Sequence, residues 1–298
     1  MADWYNTKRR LYRALAYPPQ ALGVVLLYGF FAMMPVDAAS AIGGWLGRQI
    51  GLRLGITRRA LRNIERALPE LDPSQYRAAM EEMWDNLGRV VAELPHLRRI
   101  TAERVEIIGE ENIVPFRSDG NPCIVFSGHF ANWEILPPVA RHIGIPCVQV
   151  YRAANNPLVD GFMRWVRRFE DNEIAPKGPR GARRAISALK EGRCLGILID
   201  QKMNDGIAVP FFGRDAMTAP APAQLGLRHE CPIVPARLER LGGCHFRVTL
   251  DAPLDMPKTG DRKADVATVM RSVNALFEDW IRARPGQWLW LHRRWPDS

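Results

Sequence analysis

The sequence predicts an α/β fold in which a central mixed sheet is flanked by helices and preceded by a hydrophobic helical N-terminal region. Short β-like runs begin after Arg104 and alternate with helical patterns, an order typical of a sheet layered with helices. An apolar run at residues 21–36 follows a basic segment. We therefore expect residues 1–56 to form a membrane-associated helical region and residues 57–298 to form the α/β domain.

The apolar run at residues 21–36 has several interpretations. A cleaved signal peptide is the least favoured, because the segment that precedes the run is longer than the basic region of such peptides. A spanning helix needs about 20 apolar residues, so the run is short unless residues 38–46 extend it. Basic residues on both flanks favour a partly inserted anchor on an anionic membrane face. A buried core helix is the competing interpretation.

Helical patterns also occupy both ends of the remaining chain. Residues 56–94 have helical periodicity with a break at Pro69, and Asp72 has the position of an N-cap followed by proline. Near the C-terminus, apolar residues recur at helical spacing until Pro285-Gly286 ends the pattern, which predicts a core-facing helix. Between the predicted strands, helices are expected at 156–169 and 180–192.

Seven runs have the length and the branched or aromatic content of strands. They cover residues 105–109, 122–128, 146–152, 194–200, 209–213, 232–240 and 245–251.

The charge balance favours an anionic partner. Lys and Arg total 41 against 32 Asp and Glu, a net charge of +9, which suits nucleic acid, phospholipid or a phosphorylated substrate. The sequence has no zinc-finger spacing, RNP-like aromatic motif or basic zipper, so we predict no nucleic-acid partner. The five cysteines are scattered in apolar stretches and form no nucleophile motif, which predicts buried, reduced thiols.

The residues with proton chemistry cluster in S-G-H-F-A-N-W-E, at 127–134. If the preceding apolar run is a strand, His129 emerges at its carboxyl end, where open α/β sheets bind ligands. On one continuous helix His129 and Glu134 would lie about 140° apart. They can pair if His129 lies in the turn and Asn132 caps a helix that begins near Trp133.

In that arrangement Glu134 would fix one ring nitrogen of His129, and the other nitrogen would remove a proton from a hydroxyl. A purely structural His–Glu pair is the alternative. Pro137 and Pro138 leave open whether the helix begins near Leu136 or is kinked. A zinc site is less favoured, because the metalloprotease pattern is absent and no second histidine lies nearby in the sequence.

The motif G-H-F-A-N-W-E resembles the His-x4-acid motif of the bacterial late acyltransferases of lipid A biosynthesis, which share it with glycerolipid acyltransferases. The motif alone has low specificity, whereas the ordered set of similar stretches covers nearly the whole chain and is specific. These stretches are 86–94, 150–157, 175–192, 196–201, 209–228 and 287–295, together with the hydrophobic N-terminal segment.

The resemblance implies a glycerolipid-acyltransferase-like fold and transfer of a fatty acyl chain from an acyl carrier protein thioester to a hydroxyl of a phosphorylated lipid A precursor. The reaction would occur at the cytoplasmic face of the inner membrane, with no metal or organic cofactor. His129 would deprotonate the acceptor hydroxyl and Glu134 would orient the imidazole. The alternatives are an acyltransferase for another glycolipid or an aminolipid, and a non-catalytic lipid-binding protein of the same fold.

Further residues are candidates for substrate binding. Arg152 follows a strand and could hold a phosphate through its planar guanidinium, and the basic start of the helix near 180 could present cations and N–H groups to an anion. A charge at the end of an apolar strand is costly unless it is paired, so Asp200 should act in the site or support an arginine. The candidates are Asn132, Arg152, Lys177, Arg180, Asp200 and Gln201.

Overall fold

The structure is a computed structural model that describes residues 2–118, 120–145, 147–151, 153–167, 172–176 and 178–295. The N-terminal part is helical. Its helices are α1 (Ala2–Ala32), α2 (Val36–Gly51), α3 (Thr57–Ala67), α4 (Pro73–Glu93) and α5 (Leu97–Glu103). Helix α4 begins where the sequence predicts, because the Asp72 side chain accepts hydrogen bonds from the N–H groups of Ser74 and Gln75.

Strands and helices alternate through the rest of the chain. The strands are β1 (Val105–Ile108), β2 (Ile124–Ser127), β3 (Cys147–Tyr151), β4 (Asn172–Pro176), β5 (Cys194–Leu198), β6 (Ile207–Phe211), β7 (Arg214–Thr218), β8 (Ile233–Gly242) and β9 (His245–Leu250). The helices are α6 (Pro115–Ser118), α7 (Leu136–His142), α8 (Pro157–Val166), α9 (Pro179–Lys190), α10 (Ala221–His229) and α11 (Arg262–Ala283).

All seven predicted strands form, and the mixed α/β fold is confirmed. Among the described residues, the main sheet has seven strands in the order β1-β9-β8-β2-β5-β3-β4, and β6 pairs with β7 in a separate hairpin. The run from β8 to β4 is parallel, whereas β9 is antiparallel to β8. The sequence did not predict β4 or β7. Strand β4 contains a proline, which an edge strand tolerates.

The core surrounds β2. Phe126 of β2 packs against Phe277 (ring centroids 5.7 Å apart) and Trp280 (6.3 Å) of α11, and all three are nearly fully buried. The apolar stripe predicted near the C-terminus is therefore core packing. Since β2 lies between β8 and β5 in the middle of the sheet, its carboxyl end is held on both sides.

The N-terminal helix extends away from this core. Within the described part of the chain, one stretch is long and apolar enough to cross a membrane, Arg13–Ala32 of α1, and only 6% of it is buried. The interpretation as a buried core helix is therefore wrong. The end of α1 is anchored by Phe31, which packs with Ala39 of α2 and Ala92 of α4.

Helices α2 and α4 pack at very short range through glycines. A Cβ added at Gly88 of α4 would overlap the backbone carbonyl of Gly43 in α2, and a Cβ at Gly47 would overlap the carbonyl of Trp84. The backbones can approach this closely only because these positions lack side chains. Residues 38–46 thus belong to a packed helix and do not extend the apolar run of α1.

Two of the five cysteines are not the reduced thiols that the sequence predicts. Cys123 and Cys194, at the starts of adjacent strands, form a disulfide with a Cα–Cα distance of 4.6 Å. The prediction of reduced thiols is wrong for this pair, because the sequence does not reveal that β2 and β5 are neighbours. Cys147, Cys231 and Cys244 are free and buried, as predicted.

The glycine contact between α2 and α4 can be tested by adding one methyl group. Gly88→Ala should lower the free energy of unfolding by about 1–3 kcal/mol, because the helices must separate to admit the methyl group. Gly161→Ala is the matched control: Gly161 is also helical, but a Cβ there would have no atom within 4 Å. That control should be neutral or stabilising by up to about 1 kcal/mol. Chemical denaturation in detergent gives both values, and an unchanged stability of Gly88→Ala would contradict the packing.

Candidate active site

The register of β2 and β5 brings His129 and Asp200 together. The two strands are parallel neighbours, and Ser127 lies beside Leu198 at their carboxyl ends. His129 and Asp200 each follow two residues later, so they meet where the sheet opens. A Cβ at Gly128 would lie 2.7 Å from the Phe130 ring and 3.1 Å from the Cβ of Asp200. Glycine therefore permits the close approach of the two loops.

Asp200 holds His129 by two hydrogen bonds. Nδ1 of the ring lies 2.8 Å from one carboxylate oxygen, and the backbone N–H of His129 donates to the other at 2.8 Å. A carboxylate can only accept, so Nδ1 carries the proton and Nε2 of the neutral ring keeps its lone pair. This tautomer is the one that a general base requires at Nε2.

The same contact changes the pKa values of both groups. Burial acts to lower the pKa of His129, but the Asp200 carboxylate, with a smaller contribution from Glu134, outweighs it, so the pKa is raised. For Asp200, burial acts to raise the pKa, but His129 and the N–H donors hold it well below its usual range. Asp200 is thus an anion at neutral pH and favours the protonated imidazole.

The C-terminal segment clamps the loop that carries His129. Trp288 donates its indole N–H to Asp200 at 2.8 Å. The N–H of Leu289 donates to the carbonyl of His129 (3.1 Å), and the N–H of Ala131 donates to the carbonyl of Gln287 (2.9 Å). The stretch 287–295 therefore supports the loop from one side.

Glu134 has a different partner from the one predicted. Both of its carboxylate oxygens accept hydrogen bonds from Arg167, at 2.8 and 2.5 Å, whereas the carboxylate bonded to the His129 ring is that of Asp200. The local geometry was otherwise predicted correctly: Asn132 caps a 3₁₀ turn at Trp133–Ile135, and α7 begins at Leu136. This turn directs Glu134 toward α8 and Arg167, so the carboxylate that holds the imidazole in this structure is Asp200 and not the predicted Glu134.

Asn132 and Asp200 support the site from within the protein. The Asn132 amide donates to Glu93 (2.7 Å), and its oxygen accepts from the N–H of Glu134 (3.2 Å). Both residues are almost completely buried, and these contacts are with protein groups. Here Asn132 positions the loop and Asp200 positions the base, and their direct contact with substrate stays a prediction.

A buried polar network from α4 fixes the same loop. Asn86 donates to the carbonyl of Ala131 at 2.8 Å, and Ala131 has a φ of 45°, a conformation that a non-glycine residue keeps only under external constraint. Glu93 is fully buried and pairs with Arg240 at 2.6 Å, and Arg240 also donates to Asn86 at 2.8 Å. Asn86 and Glu93 lie two helical turns apart, so one face of α4 holds the loop.

Gln201 lies in front of the imidazole. Its amide nitrogen is 3.1 Å from Nε2 of His129 and 2.8 Å from Nε2 of His292. These three side chains line one cavity of about 980 Å³. Gln201 therefore occupies the position from which another hydrogen-bond donor could reach Nε2, and its predicted role in substrate binding stays a prediction.

The cavity has an apolar wall and several basic residues. Its apolar part runs between the sheet and the helices and is lined by Val139, Ile143, Ile145, Leu195 and Ile197 among others. Cys147 also lines it, and burial raises the pKa of its thiol to about 12, so this cysteine is protonated at neutral pH and is not a nucleophile. The basic residues Lys202, Arg228 and Arg262 also line the cavity.

The predicted anion-binding residues are only partly described. Arg152 and Lys177 lie outside the described residues. Arg180 is exposed in the first turn of α9, beside Gly181, which lines the cavity.

Sequence reasoning missed several residues of the site. Trp288 and His292 lie within the C-terminal stretch 287–295, and Arg228 ends the stretch 209–228, so the family resemblance contained a signal for them. For Arg167 the sequence offered only its position in a predicted helix. Its pairing with Glu134, 33 residues away in sequence, depends on tertiary structure alone.

Comparison with known proteins decides the family. The model of the family described as bacterial lipid A biosynthesis acyltransferase matches residues 6–297. The chain belongs to this family. The lipid A biosynthesis lauroyltransferase of Escherichia coli (strain K12) is 28% identical over 290 residues, which are 92% of this chain and 90% of that protein. As a lipid A acyltransferase, the chain acts on a lipid acceptor with an acyl donor, and its apolar N-terminal helix is consistent with membrane association.

A solved structure is also similar in part. The 1-acyl-sn-glycerophosphate acyltransferase PlsC from Thermotoga maritima has 15% sequence identity and a TM-score of 0.41, covering 80% of this chain and 98% of that chain. The family assignment does not depend on this weak likeness.

The contact with Asp200 predicts how the imidazole of His129 titrates. Asp200→Asn removes the negative charge that raises the pKa of His129. The burial of the imidazole remains, and burial lowers this pKa. We therefore expect the titration of His129, followed by nuclear magnetic resonance of the labelled imidazole, to move to lower pH. Asp265→Asn is the control, because Asp265 is a buried carboxylate whose side-chain partner is Thr259. An unchanged His129 titration in Asp200→Asn would show that the pair is not electrostatically coupled.

Proposed function

We propose that this acyltransferase moves a fatty acyl chain from an acyl carrier protein thioester to a hydroxyl of a phosphorylated lipid A precursor at the cytoplasmic face of the inner membrane. The observation that carries the proposal is the Asp200–His129 pair, which directs the Nε2 lone pair into a cavity with a long apolar wall. The family membership supports the acyl transfer, and the geometry supports His129 as the base.

The reaction begins with proton removal. The acceptor hydroxyl takes the place of the Gln201 amide at Nε2 of His129 and gives up its proton as its oxygen attacks the thioester carbonyl carbon. Asp200 stabilises the imidazolium that forms, because its carboxylate accepts from Nδ1. A general base of this kind contributes about 10²–10⁴ to the rate.

The second half of the reaction releases the carrier. The tetrahedral intermediate collapses, the carbon–sulfur bond breaks, and the thiolate takes the proton back from His129. The acyl chain is then esterified to the acceptor, and the base is neutral again. No acyl-enzyme is needed, because the thioester is already an activated acyl group.

The rest of the cavity suits the two substrates. In this proposal the apolar wall between the sheet and α7 and α9 accepts the hydrocarbon chain. Lys202, Arg228 and Arg262, which line the same cavity, bind phosphate groups of the acceptor. Glu134 contributes through Arg167, since it fixes this guanidinium at the cavity wall. The excess of positive charge favours an acidic carrier protein and anionic lipids.

The proposal is tested by replacing the base. His129→Ala should lower acyl transfer from acyl carrier protein thioesters to a tetra-acylated lipid A precursor by about 10²–10⁴, while the thermal unfolding and membrane association of the protein persist. Product mass reports the transfer. The matched control is His142→Ala, which removes an exposed imidazole from the last turn of α7 and should leave the rate unchanged.

The outcomes separate the alternatives. Undiminished transfer by His129→Ala would overturn the assigned base. Transfer to another glycolipid or to an aminolipid, with none to the lipid A precursor, would correct the acceptor but keep the mechanism. Tight lipid binding without any product from the wild type would indicate a non-catalytic lipid-binding protein.

A further inference from the structure

Helix α2 and the turn that follows it expose large apolar side chains. Ile42, Trp45 and Ile50 lie on the outer side of α2, and Trp45 and Ile50 are 53% and 56% exposed. The turn at 52–56 continues this surface, since all five of its residues are exposed and three are large aliphatic residues. We call the apolar side chains of α2 and the turn the α2 surface; its members are Ile42, Trp45, Ile50, Leu52, Leu54 and Ile56.

The large apolar residues of α2 face outward, which is the reverse of a surface helix in a soluble protein. A surface helix normally turns its large apolar residues toward the core. Helix α2 turns Gly43, Gly44 and Gly51 toward the protein, where they allow the close contact with α4, and turns its isoleucines and tryptophan outward. An exposed apolar patch of this kind marks an interaction site.

The charges around the α2 surface identify its partner. Residues 38–64 contain five arginines and no acidic residue, and one of the five, Arg48, pairs with Asp85 of α4. Arg53 lies between two exposed leucines in the turn, and Arg58 and Arg62 are exposed in the next helix. Tryptophan beside arginines is typical of the boundary between lipid chains and anionic headgroups. A second copy of the chain would place its arginines against like charges, which is unfavourable.

We propose that the α2 surface lies on the anionic face of a lipid bilayer, with Trp45 and Leu54 at the depth of the upper acyl chains. Only residues 33–35 separate α2 from α1, so the surface continues from the apolar helix. This contact goes beyond anchoring by α1, because it fixes the orientation of the catalytic domain as well as its attachment.

The bilayer contact is mechanically linked to the active site. Helix α2 packs on α4 through glycines, and α4 holds the loop of His129 through Asn86 and Glu93. Ser40 of α2 also donates to Glu93 at 2.6 Å. A bilayer that orients α2 thereby orients the loop that carries His129.

The contact is measured with the full chain in nanodiscs of phosphatidylglycerol brominated in the acyl chains, because bromine quenches tryptophan only at short range. The wild type should lose more fluorescence than Trp45→Phe, and the difference is the signal of Trp45. Equal quenching of the two proteins would overturn the proposal. If quenching is equal and the measured mass is that of a dimer, a second copy of the chain covers the α2 surface.

A second variant tests the turn. Leu54→Glu places a negative charge against the headgroups and should reduce quenching to the level of Trp45→Phe, whereas Ile108→Glu alters a comparably exposed residue of β1 (42% against 44% exposed) and should keep the wild-type value. Replacing the lipid with brominated phosphatidylcholine should also reduce quenching. Full quenching of Leu54→Glu would overturn the proposal. None of these readouts requires acyl transfer, so their failure is distinguishable from failure of the proposed reaction.

Discussion

The buried carboxylate of Asp200 is the interaction on which the rest of the site depends. An anion with 2% exposure is costly unless its oxygens are satisfied, and here three N–H groups do so: the ring and backbone of His129 and the indole of Trp288. These donors come from the loop after β2 and from the C-terminal segment. One carboxylate at the end of β5 therefore joins three distant parts of the chain and sets the tautomer of the base.

Hydrogen bonds from other parts of the chain also fix the loop around His129. Ala131 keeps a positive φ because Asn86 and Gln287 bind its carbonyl and its N–H. The pair of Glu93 and Arg240 lies behind the loop, and removing one partner of such a buried pair typically costs about 3–5 kcal/mol. Positioning of the base is thus distributed over α4, β8 and the C-terminal segment.

Much of this arrangement follows from local sequence, and the remainder does not. Asp72, Asn132 and the start of α7 obey capping and proline rules that act within a few residues, and His129 follows from the end of an apolar strand. The partner of His129 was misassigned because a motif spacing of five residues carries no information on strand register, which alone brings Asp200 to the ring. The disulfide was missed for the same reason. Glu134 bonds to Arg167 instead of His129, through a contact between residues that are distant in sequence.

The central claim is that a neutral His129, whose pKa is raised by Asp200, removes the acceptor proton. The pH dependence of kcat/KM for acyl transfer tests this most directly, because it reports the ionisation of groups in the free enzyme. Only the neutral ring can accept a proton, so the rate should rise with pH through an apparent pKa above the ordinary histidine value of about 6.5. A profile that is flat through this range, or that rises at a lower pH, would contradict the account.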